Sequence, residues 1–201
     1  MLLEAVFKRG GYNNRYKYMK ITLIGTGNIA FHLGKRFLEK KCRINQVVGR
    51  TEEKVTEFAL LFDSEGITDF SKVKTDSDLY ILAVNDDAIE VIAEKLAQKI
   101  DNQLVVHTSG AVSSTVLSRY FTCFGSLYPL QTFSRTSEPD FETLPIFINS
   151  SETPPQYPAP LSANFLKKSD ILSQIAHYFI AKSICITRRK TSGVAHCGCF
   201  C

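Results

Sequence analysis

Six consecutive residues, Gly25-Thr26-Gly27-Asn28-Ile29-Ala30, have the spacing of a turn that receives a phosphate group. They follow a short β-branched run, Lys20-Ile21-Thr22-Leu23-Ile24, and open a segment whose apolar positions recur every three or four residues. In that context the first glycine makes the tight turn and the second leaves the backbone bare for a pyrophosphate. The small third residue, Ala30, lets helix and strand pack closely. Free N–H groups at a helix start formed by Asn28 and Ile29, at the positive end of the helix dipole, would hold the phosphates. The plainer alternative is a strand-to-helix turn with no ligand.

The next informative position is the end of the second strand, Val48-Gly49-Arg50-Thr51. NAD sites carry an acid here for the ribose hydroxyls, and NADP sites often carry an arginine. Arg50 can pair with a 2′-phosphate and Thr51 can add a hydrogen bond, so the spacing favours NADP over NAD. The alternative is a solvated arginine at a strand end. The missing acid also argues against a methyltransferase that binds S-adenosylmethionine. Further along, Ala83, Val84 and Asn85 are expected to flank the nicotinamide ribose, with Asp86 read as a helix cap. His107, Ser109 and Gly110, and after another strand Tyr128 and Gln131, follow strand ends that should share the same rim. They are the substrate-side candidates, and His107 could donate or accept a proton near neutral pH. The bland reading is a hydrogen-bonded strand-end histidine and a tyrosine in a packed turn. No catalytic residue is assigned.

These residues require an alternating framework to hold them. After the first strand, Ala30, Leu33, Phe37 and Leu38 mark the inner face of a helix. Ile44 to Val48 reads as the second strand. Thr51 then caps a helix with Glu52 and Glu53 in its first turn and Val55, Phe58, Ala59 and Phe62 inward. Ile67 to Phe70 reads as a short third strand, and Leu79 to Val84 as a central strand apolar on both faces. Asp86 or Asp87 caps a helix with Ile89, Ile92, Ala93 and Leu96 inward. Leu104 to Val106 is another strand, Ser113 or Ser114 starts a short helix, and Cys123 to Leu127 and Ile146 to Ile148 complete the pattern. Such alternation with short connections implies an α/β fold with a doubly wound, mostly parallel sheet.

The chain has 201 residues and a formal charge of +4, but the charge is unevenly spread. Residues 1–18 carry +3, residues 19–152 carry −4 and residues 153–201 carry +5. The part that reads as a folded core is acidic, so the overall charge does not indicate a nucleic-acid partner. No run approaches the ~18 apolar residues of a membrane span. The apolar stretch before Lys8 is too short for a secretory signal, and Met19, directly before the first strand, is a candidate start. Cys42 and Cys123 stand alone in the acidic part, as expected of reduced thiols in the cytoplasm. The terminal Cys197, Cys199 and Cys201 lack zinc-ligand spacing, and no metal site is expected.

Five segments together resemble a bacterial Rossmann-like family of unknown function with a C-terminal helical domain. They are Ile24 to Ala30, Val48 to Thr51, Leu82 to Asp86, His107-Thr108-Ser109-Gly110-Ala111, and Tyr128-Pro129-Leu130-Gln131-Thr132-Phe133. The first three are shared with pyrroline-5-carboxylate reductase, ketopantoate reductase and the β-hydroxyacid dehydrogenases. The resemblance, over about Met19 to Ser150, implies NAD(P) binding and a reductase or dehydrogenase acting on a small molecule. In those enzymes the helical domain generally completes the substrate site and makes the dimer. The expected function is hydride transfer with a small carbonyl, imine or hydroxy-acid substrate. The alternative is a non-enzymatic NADP sensor or scaffold.

The expected domains are therefore an extension over 1–18, a dinucleotide-binding domain over 19–152 and an irregular tail over 153–201. The tail departs from the family. Four prolines fall between Pro154 and Pro160, and four cysteines between Cys185 and Cys201, with an apolar helical pattern at Ser169 to Ala181. Read one base later, codons for Ala195-His196-Cys197-Gly198-Cys199-Phe200 and Cys201 can spell His-Ile-Ala-Ala-Val-Phe. The family's helical domain has nearly that motif at about this distance. A frameshifted tail is the expectation, with a divergent tail as the alternative. A frameshift would leave cofactor binding weakened and turnover low. Sequencing the coding DNA tests this: a second frame should run on through a long helical domain, and its absence would refute the idea.

Overall fold

The computed structural model describes residues 19–150 and a two-residue strand at Asn164–Phe165. The expected extension over 1–18, the helix at 169–181 and the cysteine-rich tail lie outside the described residues. Lys20–Ile24 forms β1, Asn28–Glu39 α1, Arg43–Val48 β2, Glu52–Leu61 α2 and Glu65–Ile67 β3. Leu79–Leu82 forms β4, Ile89–Ala97 α3, Leu104–His107 β5, Phe124–Pro129 β6, Ile146–Ser150 β7 and Asn164–Phe165 β8. One sheet holds all the strands among the described residues in the order β3-β2-β1-β4-β5-β6-β7-β8. Every pairing from β3 to β6 is parallel, whereas β7 runs antiparallel to β6 and β8 antiparallel to β7. This is the doubly wound Rossmann-like α/β fold. Its order reverses between β1 and β4, where ligands of open α/β sheets settle beyond the carboxyl ends of the strands.

The sheet is covered on both sides, which explains its continuous apolar strands. One layer contains Leu33 and Phe37 of α1 and Phe58 of α2, packed with Ile21 and Leu23 of β1. The other contains Ile89, Ala93 and Leu96 of α3 and Leu117, packed with Ile24, Tyr80 and Leu82. β4 is buried at all four positions and β5 likewise, as central strands must be when each face meets a helix layer.

Several expected boundaries shift. The third strand is Glu65–Ile67 rather than Ile67 to Phe70, because Gln46, Val47 and Val48 pair with Glu65, Gly66 and Ile67. The chain then turns into a 3-10 segment, Phe70–Lys72, nucleated by Asp69, whose carboxylate accepts from the Ser71 N–H at 2.8 Å. β4 stops at Leu82, and β6 begins at Phe124 rather than Cys123. Leu38 is partly exposed rather than turned to the core. Thr51 occupies the cap position of α2 but its side chain makes no cap hydrogen bond. Neither Asp86 nor Asp87 caps α3. Both lie in a 3-10 turn, Asp86–Ala88, that precedes the helix and is closed by the Ala88 N–H donating to the Asn85 carbonyl at 2.9 Å. Ser113 does cap the segment after β5, which is a 3-10 helix, Ser114–Arg119.

Gln46, fully buried on β2, links the sheet to the segment that carries Phe70. Its Nε2 donates to the Lys72 carbonyl at 3.1 Å, and its Oε1 accepts from the Lys74 N–H at 3.0 Å. Both side-chain functions are thus occupied in a place where unpaired polar groups are costly. Replacing Gln46 with leucine should leave two backbone groups unpaired and lower stability by about 2–4 kcal/mol in a denaturant titration. An unchanged midpoint would show that the linkage carries no such weight.

Candidate functional site

The turn between β1 and α1 has one backbone geometry and one neighbour that account for its first glycine. Gly25 has φ +119°, and a Cβ placed on it would lie 2.0 Å from the Ala83 carbonyl oxygen. No side chain fits there. Hydrogen bonds lace the strand ends around it: the Gly25 N–H donates to the Val48 carbonyl at 2.8 Å, and the Ala83 N–H to the Ile24 carbonyl at 2.8 Å. Gly27 is different. It caps α1 in an extended conformation, and a Cβ on it would meet nothing within 4 Å. The open side of Gly27 is the space a pyrophosphate needs, and the first-turn N–H groups of α1 have no acceptors within the helix. Ala30 is fully buried at the next turn, as close packing of helix on strand requires.

A cleft of ≈ 700 Å³ opens at this end of the sheet. Gly25, Thr26 and Gly27 form one wall, Arg50 and Thr51 another, and Ala83, Val84 and Asn85 a third. The structure thus brings together eight of the residues expected to bind cofactor. Asn28, Ile29 and Ala30 do not line the cleft, and at the start of α1 it is the cap residue Gly27 that does.

Arg50 is exposed at the rim, and among the described residues no acid pairs with it. Lys54, four residues on and in the first turns of α2, lines the same cleft. Its place in the first turn of the helix that follows Arg50 was the available signal for it. Thr68, Phe70 and Lys95 also enter the cleft, with the Lys95 ammonium 6.0 Å from the centre of the Phe70 ring. Thr68 and Phe70 could not be read from the sequence, because the segment after β3 folds into a turn rather than a longer strand, and Lys95 looks like an ordinary charged position of α3. Cationic groups at the end of β2, an open glycine face and an apolar wall suit a phosphorylated dinucleotide.

The substrate-side candidates fall elsewhere. His107 is fully buried at the end of β5, with Nδ1 accepting from the Ser109 N–H at 3.2 Å. With Nδ1 an acceptor, the proton of the neutral ring sits on Nε2, which has no hydrogen-bond partner among the described residues. Ser109 is occupied as a turn former, its Oγ accepting from the N–H groups of Ala111 and Val112 at 3.1 Å each. Gly110 lies against Tyr128, where an added Cβ would come within 2.4 Å of the ring, and Tyr128 stacks on Phe147 with centroids 6.5 Å apart. The two motifs therefore pack as one unit, and Gln131 is exposed beyond them. None of these five lines the cleft.

Burial lowers the His107 pKa below its ordinary 6.5, against smaller raising effects of the Ser113 backbone and the Asp86 carboxylate. The unfolded chain therefore takes up this proton first as pH falls. Stability is whole above about pH 6.5 and declines as the pH drops toward the depressed value. His107→Asn keeps an acceptor near the Ser109 N–H and cannot titrate. Thermal melts between pH 7.5 and 5 should show a smaller acid-induced loss for this variant, and parallel curves would refute the role.

Among the described residues no helix is long and apolar enough to cross a membrane, and no cluster of three or more metal-ligating side chains occurs. Residues 20–110 match the profile of a family described as NADP oxidoreductase, coenzyme F420-dependent. A solved structure from Bacteroides fragilis, provisionally described as an NADP oxidoreductase, is 29% identical, with a TM-score of 0.66 over 88% of this chain and 69% of its own. Arogenate dehydrogenase of Synechocystis is 19% identical with a TM-score of 0.58, over 67% of this chain and 51% of its own. A pyrroline-5-carboxylate reductase from Coxiella burnetii is 15% identical with a TM-score of 0.55, over 87% and 72%. The last two share the fold. No curated protein matches the sequence. The chain carries an NADP oxidoreductase-like, NAD(P)-type Rossmann domain.

Proposed function

We propose that this domain binds NADP(H) in preference to NAD(H) and serves hydride transfer to or from a small carbonyl, imine or hydroxy-acid substrate. The observation that carries the reading is the end of β2. Arg50, unpaired by any acid among the described residues, stands at the rim of the cleft beside Thr51 and Lys54, where an NAD site would present a carboxylate. A guanidinium can hold a 2′-phosphate through two parallel hydrogen bonds, and Lys54 adds a second positive charge to the same rim. Gly25 sets the turn, Gly27 admits the pyrophosphate, and the first-turn amides of α1 receive it. Ala83, Val84 and Asn85 border the nicotinamide half. When bound, the nicotinamide supplies or accepts the hydride. The residues that polarise the substrate are expected from outside 19–150, since His107 is enclosed and Tyr128 is packed between Gly110 and Phe147. In the same proposal, a homodimer would need those outside residues.

Fluorescence titration with NADPH and NADH tests the reading. NADPH should bind more tightly, and Arg50→Ala should weaken NADPH by about 10- to 100-fold, the range for a hydrogen bond to a charged group, with NADH nearly unchanged. An unaltered preference in Arg50→Ala would overturn it. Preferential NADPH binding with no reduction of any carbonyl or imine in a substrate panel would favour a cofactor-sensing role.

A further inference from the structure

One face of α1 makes four polar contacts with the segment that joins β6 to β7. Asn28 Nδ2 donates to the Phe133 carbonyl at 2.9 Å, and His32 Nε2 contacts the Ser134 carbonyl at 2.7 Å. One turn further along, Lys35 pairs with Glu138 and Arg36 with Glu142. Positions 28, 32, 35 and 36 form a single stripe at helical spacing. The partners are more than a hundred residues away in sequence. Two of the four contacts grip backbone carbonyls and so fix the path of the segment whatever side chains it carries.

The stripe begins at the phosphate turn. Asn28 is the first residue of α1, so its backbone belongs to the helix start that receives a pyrophosphate while its side chain holds Phe133. His32 is 2% exposed and lies 5.5 Å, ring to ring, from Phe133, itself 8% exposed. Between Tyr128 and Phe133 the segment is otherwise open: Leu130, Gln131 and Thr132 are exposed, and backbone bonds to Pro145 and Pro129 are the tethers there. An exposed stretch with few buried contacts has low local stability, so a modest tightening at its anchor changes its opening measurably.

We propose that Asn28 and His32 are positioning residues that couple the phosphate turn to residues 130–136, so that a dinucleotide seated on α1 steadies the stretch presenting Gln131 and Thr132. This rests on the cofactor reading above and adds to it a second segment that responds to the cofactor. The order of that segment then depends on occupancy of the turn. Ground-state packing alone would hold it equally in both states.

Hydrogen exchange with saturating NADPH tests the coupling in the full chain. In the unsubstituted protein, NADPH should slow exchange in peptides covering 25–31 and also 130–136, the latter by about three- to tenfold, as expected for one hydrogen bond strengthened. Asn28→Ala and His32→Phe, the second of which keeps an aromatic ring against Phe133, should lose the slowing at 130–136 while peptide 25–31 still responds. A purely structural role would instead raise exchange at 130–136 equally with and without NADPH. Slowing at 25–31 but not at 130–136 in the unsubstituted protein, or retained slowing in both variants, overturns the coupling and leaves cofactor binding standing. No response at either peptide overturns both.

Discussion

The Ala83 carbonyl oxygen occupies the place where any side chain at position 25 would have to go. The Ala83 N–H bond to the Ile24 carbonyl holds the ends of β1 and β4 at that spacing, and the site is organised around it. Because Gly25 adopts positive φ without a Cβ, the chain leaves β1 and starts α1 directly, with Gly27 facing open space and Ala30 packed flat against the sheet. A wider turn would move the helix start away from the strand ends, and the first-turn amides would no longer converge on a common point. The reversal of strand order between β1 and β4 then leaves the cleft beside this contact, walled by backbone from three strand ends.

What could be read from the sequence follows from how local the cause is. The turn, its flanking strand and the amphipathic stretch after Asn28 are encoded within about a dozen residues, and they stand where expected. The place of Arg50 at the cleft is legible because it is the first polar residue after a buried strand. The third strand was misplaced because Glu65 and Gly66 resemble turn residues. Their role is decided by parallel pairing with Gln46 and Val47, a fact about another segment. Residue type marks Thr51 and Asp86 as caps; Thr51 takes the cap position of α2 without a side-chain hydrogen bond, while Asp86 falls in the turn before α3, because cap geometry depends on where the backbone enters the helix.

The least legible feature is the polar stripe of α1. Asn28, His32, Lys35 and Arg36 look like the solvated side of an ordinary surface helix, and the charges between the apolar positions support that impression. Their partners stand beyond β6, so nothing in the local sequence distinguishes a solvated stripe from one that grips another segment. His107 shows the reverse. Its type suggested proton transfer, but enclosure between β4 and β6 assigns it first to holding the Ser109 amide. Gly110 and Tyr128, chosen separately as rim residues, turn out to require each other sterically.

The sheet also differs at its two borders. At one, β3 has three residues, with a glycine in the middle and the Glu65 carboxylate paired to Lys74. So brief and charged a border offers little length for another chain to add a strand, a common natural defence against edge-to-edge aggregation. At the other border the direction of the sheet has already reversed through β7. The border strand itself, β8, is antiparallel to β7 and so runs in the direction of β6 again, but it presents only two residues to an added strand. Growth of the sheet is thus discouraged at β3 by shortness and charge and at β8 by shortness.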